Sequence, residues 1–296
     1  MKFGCNYSYW QNNWSFTIAE YLEMTKRLAD CGFDVLEISA DHLYRMSEDD
    51  ITALRKKGEE CGVEFSTNSG PAKQYDLASI DQKTRENGIV YFKTIIDHME
   101  LLGSRVLVGA IYSFWPTDFS GVEDKEGAWE RSIECLKIVG SYAEKKDIEI
   151  ALEILNRNET YILTDHAEAI EYCRRVNCPA VKILLDTYHM NIEEDNMIDA
   201  VVNTGKAGLL SHVHVGECNR KLPGMNNSID WPAFGKALRT VKFDKYVVME
   251  PFLLSGGEVG HDCRVFRDLS GGADEDRRTE LIKNSLKFLK QCCLGL

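Results

Sequence analysis

The segment ILLDTYHMNIEED, residues 183–195, sets Asp186 and His189 at the end of a run apolar enough to be fully buried. A carboxylate and an imidazole in that position cost desolvation energy unless something there needs them. The chain repeats the arrangement. Glu153 closes the run IEIALE with Glu159 shortly after it, SHVHVGECNR carries His212, His214, Glu217 and Arg220, and Glu250 closes YVVME. So many carboxylates gathered without counter-charge would repel one another strongly, and a divalent cation resolves that repulsion. Three carboxylates with one imidazole make a hard, oxygen-dominated donor set suited to Mn²⁺, Co²⁺ or Mg²⁺, whereas a structural zinc prefers Cys and His. Glu153, Asp186, a histidine and Glu250 are therefore the expected ligands of one metal ion, with Mn²⁺ the first choice.

These residues meet only if the elements that carry them are neighbours. Short β-branched runs alternate with longer amphipathic segments along the whole chain: KFGCNY, FDVLEIS, VEFSTN, RVLVGAIY, IEIALEIL, VKILLDTYH, LLSHVHVGE and YVVMEPF each precede a helical pattern. Gly32 and Gly62 stop the first two long helices, Ser47 begins a capping pattern, a long helix is expected from about Ile80 to Leu102, and a shorter one near 195–203. Near-continuous apolar strands belong to parallel sheets covered by helices. Eight such units in 296 residues predict a single-domain (β/α)₈ TIM barrel over 1–296, with the chemistry at the C-terminal ends of the strands. An open doubly wound sheet is the alternative, but no G-x-G-x-x-G follows the first strand and no linker breaks the composition. His212 and His214 share one strand face. His214 lies nearer the open end of the barrel and is taken as the ligand, while His42, His98, His166 and His261 are read as surface or core residues.

Composition narrows the function. A net charge of −12 argues against a polyanionic partner such as nucleic acid. No apolar run reaches the ~20 residues of a membrane span, and MKFGCNYSYW has no signal-peptide character. Ten scattered Cys without a C-x-x-C pair read as reduced, mostly buried thiols. The expectation is a cytoplasmic enzyme acting on a neutral small molecule.

The motifs LDTYHMNIEED, HVHVGECNR, VVMEPF and FRDLSGGAD together resemble the ketose 3-epimerase family, that of D-tagatose 3-epimerase and D-psicose (D-allulose) 3-epimerase; the similarity runs from YSYW at 7–10 to GGAD at 271–274. The resemblance implies that Glu153, Asp186, His214 and Glu250 bind the metal. It implies that Glu159, His189 and Arg220 grip the sugar around O1 to O3, that Trp14 and Trp115 wall the pocket, and that the protein is a homodimer or homotetramer. This chain departs from the family pattern in carrying Asn6 where Tyr is usual and the polar TNSGPAK where the segment is more apolar. Both lie where the far end of the sugar would sit, so the preferred ketose stays open.

Epimerisation at C3 removes the proton next to the C2 carbonyl, giving a cis-enediolate, and returns one to the opposite face. Glu153 and Glu250 are the expected acid/base pair, and a cation would hold O2 and O3 as Lewis acid and template. Rival chemistries on the same barrel are an aldose–ketose isomerase and a polyol dehydratase. A metal-dependent DNA-repair endonuclease would need more His ligands and a basic face, and a non-catalytic sugar-binding protein would not need a proton-transfer pair. The Gly-rich segment 254–272 is expected to cover the site or to make a subunit contact rather than to cradle phosphate.

Overall fold

The computed structural model describes residues 1–121 and 124–296. Eight strands, β1 Lys2–Asn6, β2 Val35–Ser39, β3 Glu64–Ser69, β4 Val106–Gly109, β5 Glu149–Glu153, β6 Val181–Asp186, β7 Leu210–Val215 and β8 Tyr246–Met249, pair in chain order. All pairs are parallel, and β8 closes on β1 through Lys2↔Tyr246 to Cys5↔Met249. The sequence expectation of a (β/α)₈ barrel holds.

The helices are α1 Ile18–Cys31, α2 Ala40–Arg45, α3 Glu48–Cys61, α4 Gln82–Leu102, α5 Lys125–Glu144, α6 His166–Val176, α7 Thr187–Glu193, α8 Met197–Lys206, α9 Trp231–Thr240, α10 Gly257–Asp262 and α11 Glu275–Leu294. Their ends follow local chemistry. Thr17 and Glu20 form a reciprocal capping box on α1, and Gly32 ends it in the left-handed region at φ 87°. Ser47 caps α3 and Gly62 ends it. The long helix starts two residues later than expected because Asp81 caps its first turn by accepting from Lys83 and Thr84 N–H. The helix expected near 195–203 is α8, shifted to 197–206 by the cap of Asn196. The short helices α2, α7 and α10 leave no periodicity long enough to be read from sequence. Among the described residues no helix is long and apolar enough to cross a membrane.

Two local features aim the site. At the end of β4, Gly109 holds φ 116°, and a Cβ there would meet the Ser69 carbonyl oxygen at 2.2 Å, so only glycine lets β4 close on β3. Between β6 and β7 the register shifts: Ile183 pairs with Leu210 but Leu184 with His212, so that Asp186 comes level with His214. The extra residue is Ser211, whose hydroxyl donates to Glu149. Without that bulge Asp186 would face Val213.

Candidate active site

A cavity of about 590 Å³ opens at the C-terminal ends of the strands. Its floor is a buried cluster: Glu153 from the end of β5, Asp186 from the end of β6, His214 from β7 and Glu250 just after β8 each present one ligand atom, all within 4.8 Å of one another. His214 Nδ1 lies 3.4 Å from Glu153 Oε1 and 3.6 Å from Glu250 Oε2. Among the described residues that nitrogen has no hydrogen-bond partner, although His214 is wholly buried. An orphaned imidazole nitrogen among three carboxylates is what a hard divalent ion satisfies, so the residues fit such an ion.

The electrostatics carry the same strain. Burial, then the neighbouring Glu153 and Asp186 charges, push Glu250 up to about 8 in spite of His214 and Arg220. Against the penalty of burial, Arg220, His189 and His214 hold Asp186 below the usual carboxylate range. Burial opposes a charge on His214 as well, yet Glu37 and Glu250 raise it well above an ordinary imidazole. In the metal-free protein the cluster therefore keeps protons that an ion would have to displace.

Below His214 sits a residue that reading the strand ends missed. Glu37, mid-β2 and fully buried, lies 2.9 Å from His214 Nε2 and 3.1 Å from His212 Nε2, and accepts from Ser66 Oγ at 2.8 Å. Against its burial, the two histidines hold it well below the usual range. With the carboxylate against Nε2, His214 turns Nδ1 toward the ligand cluster. The signal was present in FDVLEIS, where a lone charge at an inward position of an apolar strand needs a buried partner. His212 lies one layer deeper than His214, as expected, and pairs with Glu37 rather than with the cluster.

Above the cluster the other expected residues converge. Arg220 Nη1 donates to Asp186 Oδ2 and Glu250 Oε2, each at 3.2 Å, and its guanidinium lies 3.8 Å over the Tyr188 ring. Its backbone is held at φ 64°, with its N–H on Glu217 O and its carbonyl accepting from Phe252 N–H, a strained conformation kept by bonds on both sides. Glu217, one of the polar residues of the seventh unit, has a structural role: buried, it accepts from Gly224 N, Ser228 N and Oγ, and Trp231 Nε1. His189 Nδ1 accepts from the backbone N–H of Asn156 at 3.0 Å. That N–H can only donate, so Nδ1 is an acceptor there, while Nε2 lies 3.3 Å from Arg220 Nη2 and 3.9 Å from both Glu153 and Asp186. Asn156, also not anticipated, donates from its side chain to Glu159 Oε1 at 3.1 Å, while Trp115 Nε1 donates to Oε2 at 3.0 Å. Burial opposes it, but His189 and Arg220 hold Glu159 below the usual range.

Trp14 and Trp115 meet edge to face at 6.3 Å, and Trp14 also packs on Phe252 at 6.2 Å. Trp14 is held by its indole N–H on Asp262 Oδ2 at 2.7 Å, and its backbone N–H donates to Glu258. Both acceptors belong to α10, within the Gly-rich segment, and Glu258, Asp262 and Cys263 line the cavity. Gly257, at φ 64°, presses on the Asn12 carbonyl where a Cβ would come within 2.0 Å. The segment thus covers one side of the site. Asn6 and Asn68 bridge two buried carboxylates of the floor. The Asn68 amide donates to Glu37 Oε1 and Glu250 Oε1, both at 3.2 Å, and Asn6 reaches the same two oxygens at 3.4 and 3.5 Å. Of the remaining histidines, His98 bonds the Leu43 carbonyl, His166 pairs with Glu194 and His261 is exposed. His42 departs from the surface-or-core expectation by lining the cavity, with Nδ1 2.8 Å from Tyr21 Oη.

Residues 25–292 match the family model described as xylose isomerase-like TIM barrel. The chain is 37% identical to a D-psicose 3-epimerase of Agrobacterium fabrum over 97% of this chain and 98% of that one. It is equally 37% identical to a D-psicose 3-epimerase of Ruminiclostridium cellulolyticum, over 99% of each. A crystal structure of D-psicose 3-epimerase in the presence of D-fructose superposes with a TM-score of 0.96 at 36% identity, covering 99% of both chains.

Proposed function

This chain belongs to the xylose isomerase-like TIM-barrel family, and on that premise we propose that it is a ketose 3-epimerase, an isomerase that inverts C3 of a free ketose. The observation that carries the reading is the pair Glu153 and Glu250, which approach His214 Nδ1 from β5 and β8 at 3.4 and 3.6 Å. In this reading a sugar carbon held above His214 takes one carboxylate from each of these two strand ends, as inversion by two proton transfers requires. One takes the C3 proton, the other delivers a proton to the opposite face, and the roles exchange in the reverse direction.

Glu153, Asp186, His214 and Glu250 would hold the divalent ion, Mn²⁺ in this reading with Co²⁺ or Mg²⁺ as alternatives. Once bound, it supplies Lewis-acid stabilisation of negative charge on the sugar oxygens. The chain's own groups do the rest. His189, held by the Asn156 N–H on Nδ1, presents Nε2 beside the Arg220 guanidinium at the carbonyl-end oxygens, where a fixed donor is worth roughly 3–4 kcal/mol. Glu159, tied by Trp115 and Asn156, orients the 1-hydroxyl. Arg220 adds a planar cationic fork, and Trp14 and Trp115 exclude water from the carbanionic carbon. Asn6 borders the far end of the sugar. An aldose–ketose isomerase would move the proton between C1 and C2 instead, and the identity over nearly the whole chain to D-psicose 3-epimerases favours C3. The reading includes a homodimer or homotetramer in the cytoplasm, and light scattering checks the assembly.

The test is metal removal by chelation, restoration of Mn²⁺ or Co²⁺, and incubation with D-fructose, D-tagatose and L-ribulose in deuterated water. The expected result is a C3-inverted ketose carrying deuterium at C3 only when metal is present, and a loss of about 10²–10⁴-fold in Glu153→Gln. Aldose products would replace epimerisation by isomerisation.

A further inference from the structure

Resting on the epimerase reading, we propose that the outer half of the same cavity is a second sugar subsite, so that this chain epimerises ketoses carrying a glycosyl unit on the end remote from the carbonyl. The cavity holds about 590 Å³. Pockets of roughly 300–1,000 Å³ enclose drug-sized ligands, and the dozen or so non-hydrogen atoms of a ketohexose leave much of such a space unfilled. The direction of the surplus follows from the site. Glu159, His189 and Arg220 close the cavity on the β5–β7 side, so a ketose bound by its carbonyl end runs toward β1–β3, past Asn6 and Asn68. The cavity continues beyond them. It passes between α2, which lends Asp41 and Arg45, and the segment after β3, which lends Gln74 and Tyr75, with Tyr91 of α4 beneath.

This outer half is lined as a pyranose requires. Tyr75 lies flat on Tyr91 with ring centroids 3.9 Å apart and planes 5° apart, and the rest of its half-buried ring lines the cavity. An aromatic surface of that kind packs on sugar C–H groups while its hydroxyl stays available for hydrogen bonding. Asp41 and Arg45 pair with each other along α2, setting carboxylate acceptors beside planar guanidinium donors, which together suit neighbouring hydroxyls. Gln74 is exposed and adds an amide with both a donor and an acceptor. The charges select a neutral unit over a phosphoryl group. Among the described residues Arg45 is the one Lys or Arg lining this outer half, it is already paired with Asp41, and Glu258 and Asp262 line the same mouth. A phosphorylated ketose would meet more negative charge than positive.

The probe is isomaltulose, a fructose glucosylated at O6 with C3 and O3 free, compared with D-fructose and D-fructose 6-phosphate on the Mn²⁺-loaded enzyme in deuterated water. Deuterium at C3 of the ketose is read by NMR. The expected result is exchange of both isomaltulose and D-fructose, with KM about tenfold lower for isomaltulose. Tyr75→Ala and the exposed Arg45→Ala each raise the isomaltulose KM about tenfold and leave D-fructose kcat/KM within about twofold. Arg45→Ala disturbs no packing, so it decides the matter if Tyr75→Ala unfolds. Exchange of D-fructose without isomaltulose, or equal losses on both sugars in the variants, overturns the subsite and leaves the epimerase standing. Preference for D-fructose 6-phosphate overturns the neutral occupant. Exchange of no sugar overturns both readings.

Discussion

Proton competition at the carboxylate cluster gives metal binding a steep dependence on pH. Burial and the charges of Glu153 and Asp186 raise Glu250 to about 8 in the metal-free protein. A carboxyl raised in this way is neutral at pH 7, whereas a cation takes the ionised form, so affinity must increase as pH rises. The magnitude follows from that value. Glu250 is protonated about a hundredfold more often than not at pH 6, about tenfold at pH 7 and equally at pH 8. From this residue alone the apparent Kd for Mn²⁺ falls about 50-fold between pH 6 and pH 8. His214, raised above the ordinary imidazole range by Glu37 and Glu250 against the cost of its burial, adds in the same direction. Asp186 is held ionised and adds nothing. The assay is calorimetric titration of chelator-stripped protein with Mn²⁺ at pH 6, 7 and 8, each in two buffers of different ionisation heat. The expected result is a rising affinity and, at pH 7, release of about one proton or more per ion. A Kd constant within about twofold over this range, with no buffer-dependent heat, would refute the claim that the metal-free cluster is held together by protons.

Two further substitutions test parts of the scaffold. Glu217→Ala leaves the N–H groups of Gly224, Ser228 and Trp231 Nε1 without their buried acceptor. A loss of about 3–5 kcal/mol is expected, seen as a Tm drop of roughly 5–8 °C by circular dichroism, and a drop under about 2 °C would count against it. His166 is raised by its hydrogen bond to Glu194, so its stabilisation is full below the pKa of an unfolded histidine and disappears as pH rises through the raised value. His166→Asn should therefore lower Tm by roughly 1–3 °C at pH 5.5 and by less at pH 9; an equal or larger drop at pH 9 would reverse the assignment.

Much of this architecture was legible locally. A parallel strand covered on both faces has to be apolar along its length, so eight such runs alternating with helical periods left few folds to choose from. Thr17, Ser47, Gly32 and Gly62 act within one turn of their own backbone, and their roles needed no tertiary information. Glu153, Asp186 and Glu250 stood out because each charge interrupts an apolar run at its end.

Other features depend on contacts far apart in sequence. Glu37 matters through His212 and His214, and its place in β2 is explained only when β7 is brought against it across the barrel. Asn156 matters because its N–H meets His189 Nδ1 from another strand end and so fixes the orientation of the ring. The short α2 and α10 carry too little periodicity to be seen, yet one lines the outer cavity and the other anchors Trp14. The choice of His214 over its neighbours rests on one inserted residue, Ser211, which shifts β7 so that Asp186 faces a histidine instead of Val213. Sequence by itself determined which residue types stand at the strand ends, since patterning and capping are short-range. Which atoms meet, which protons they hold and how far the cavity extends were decided by barrel closure and strand register, because those depend on packing between segments that the chain order keeps apart.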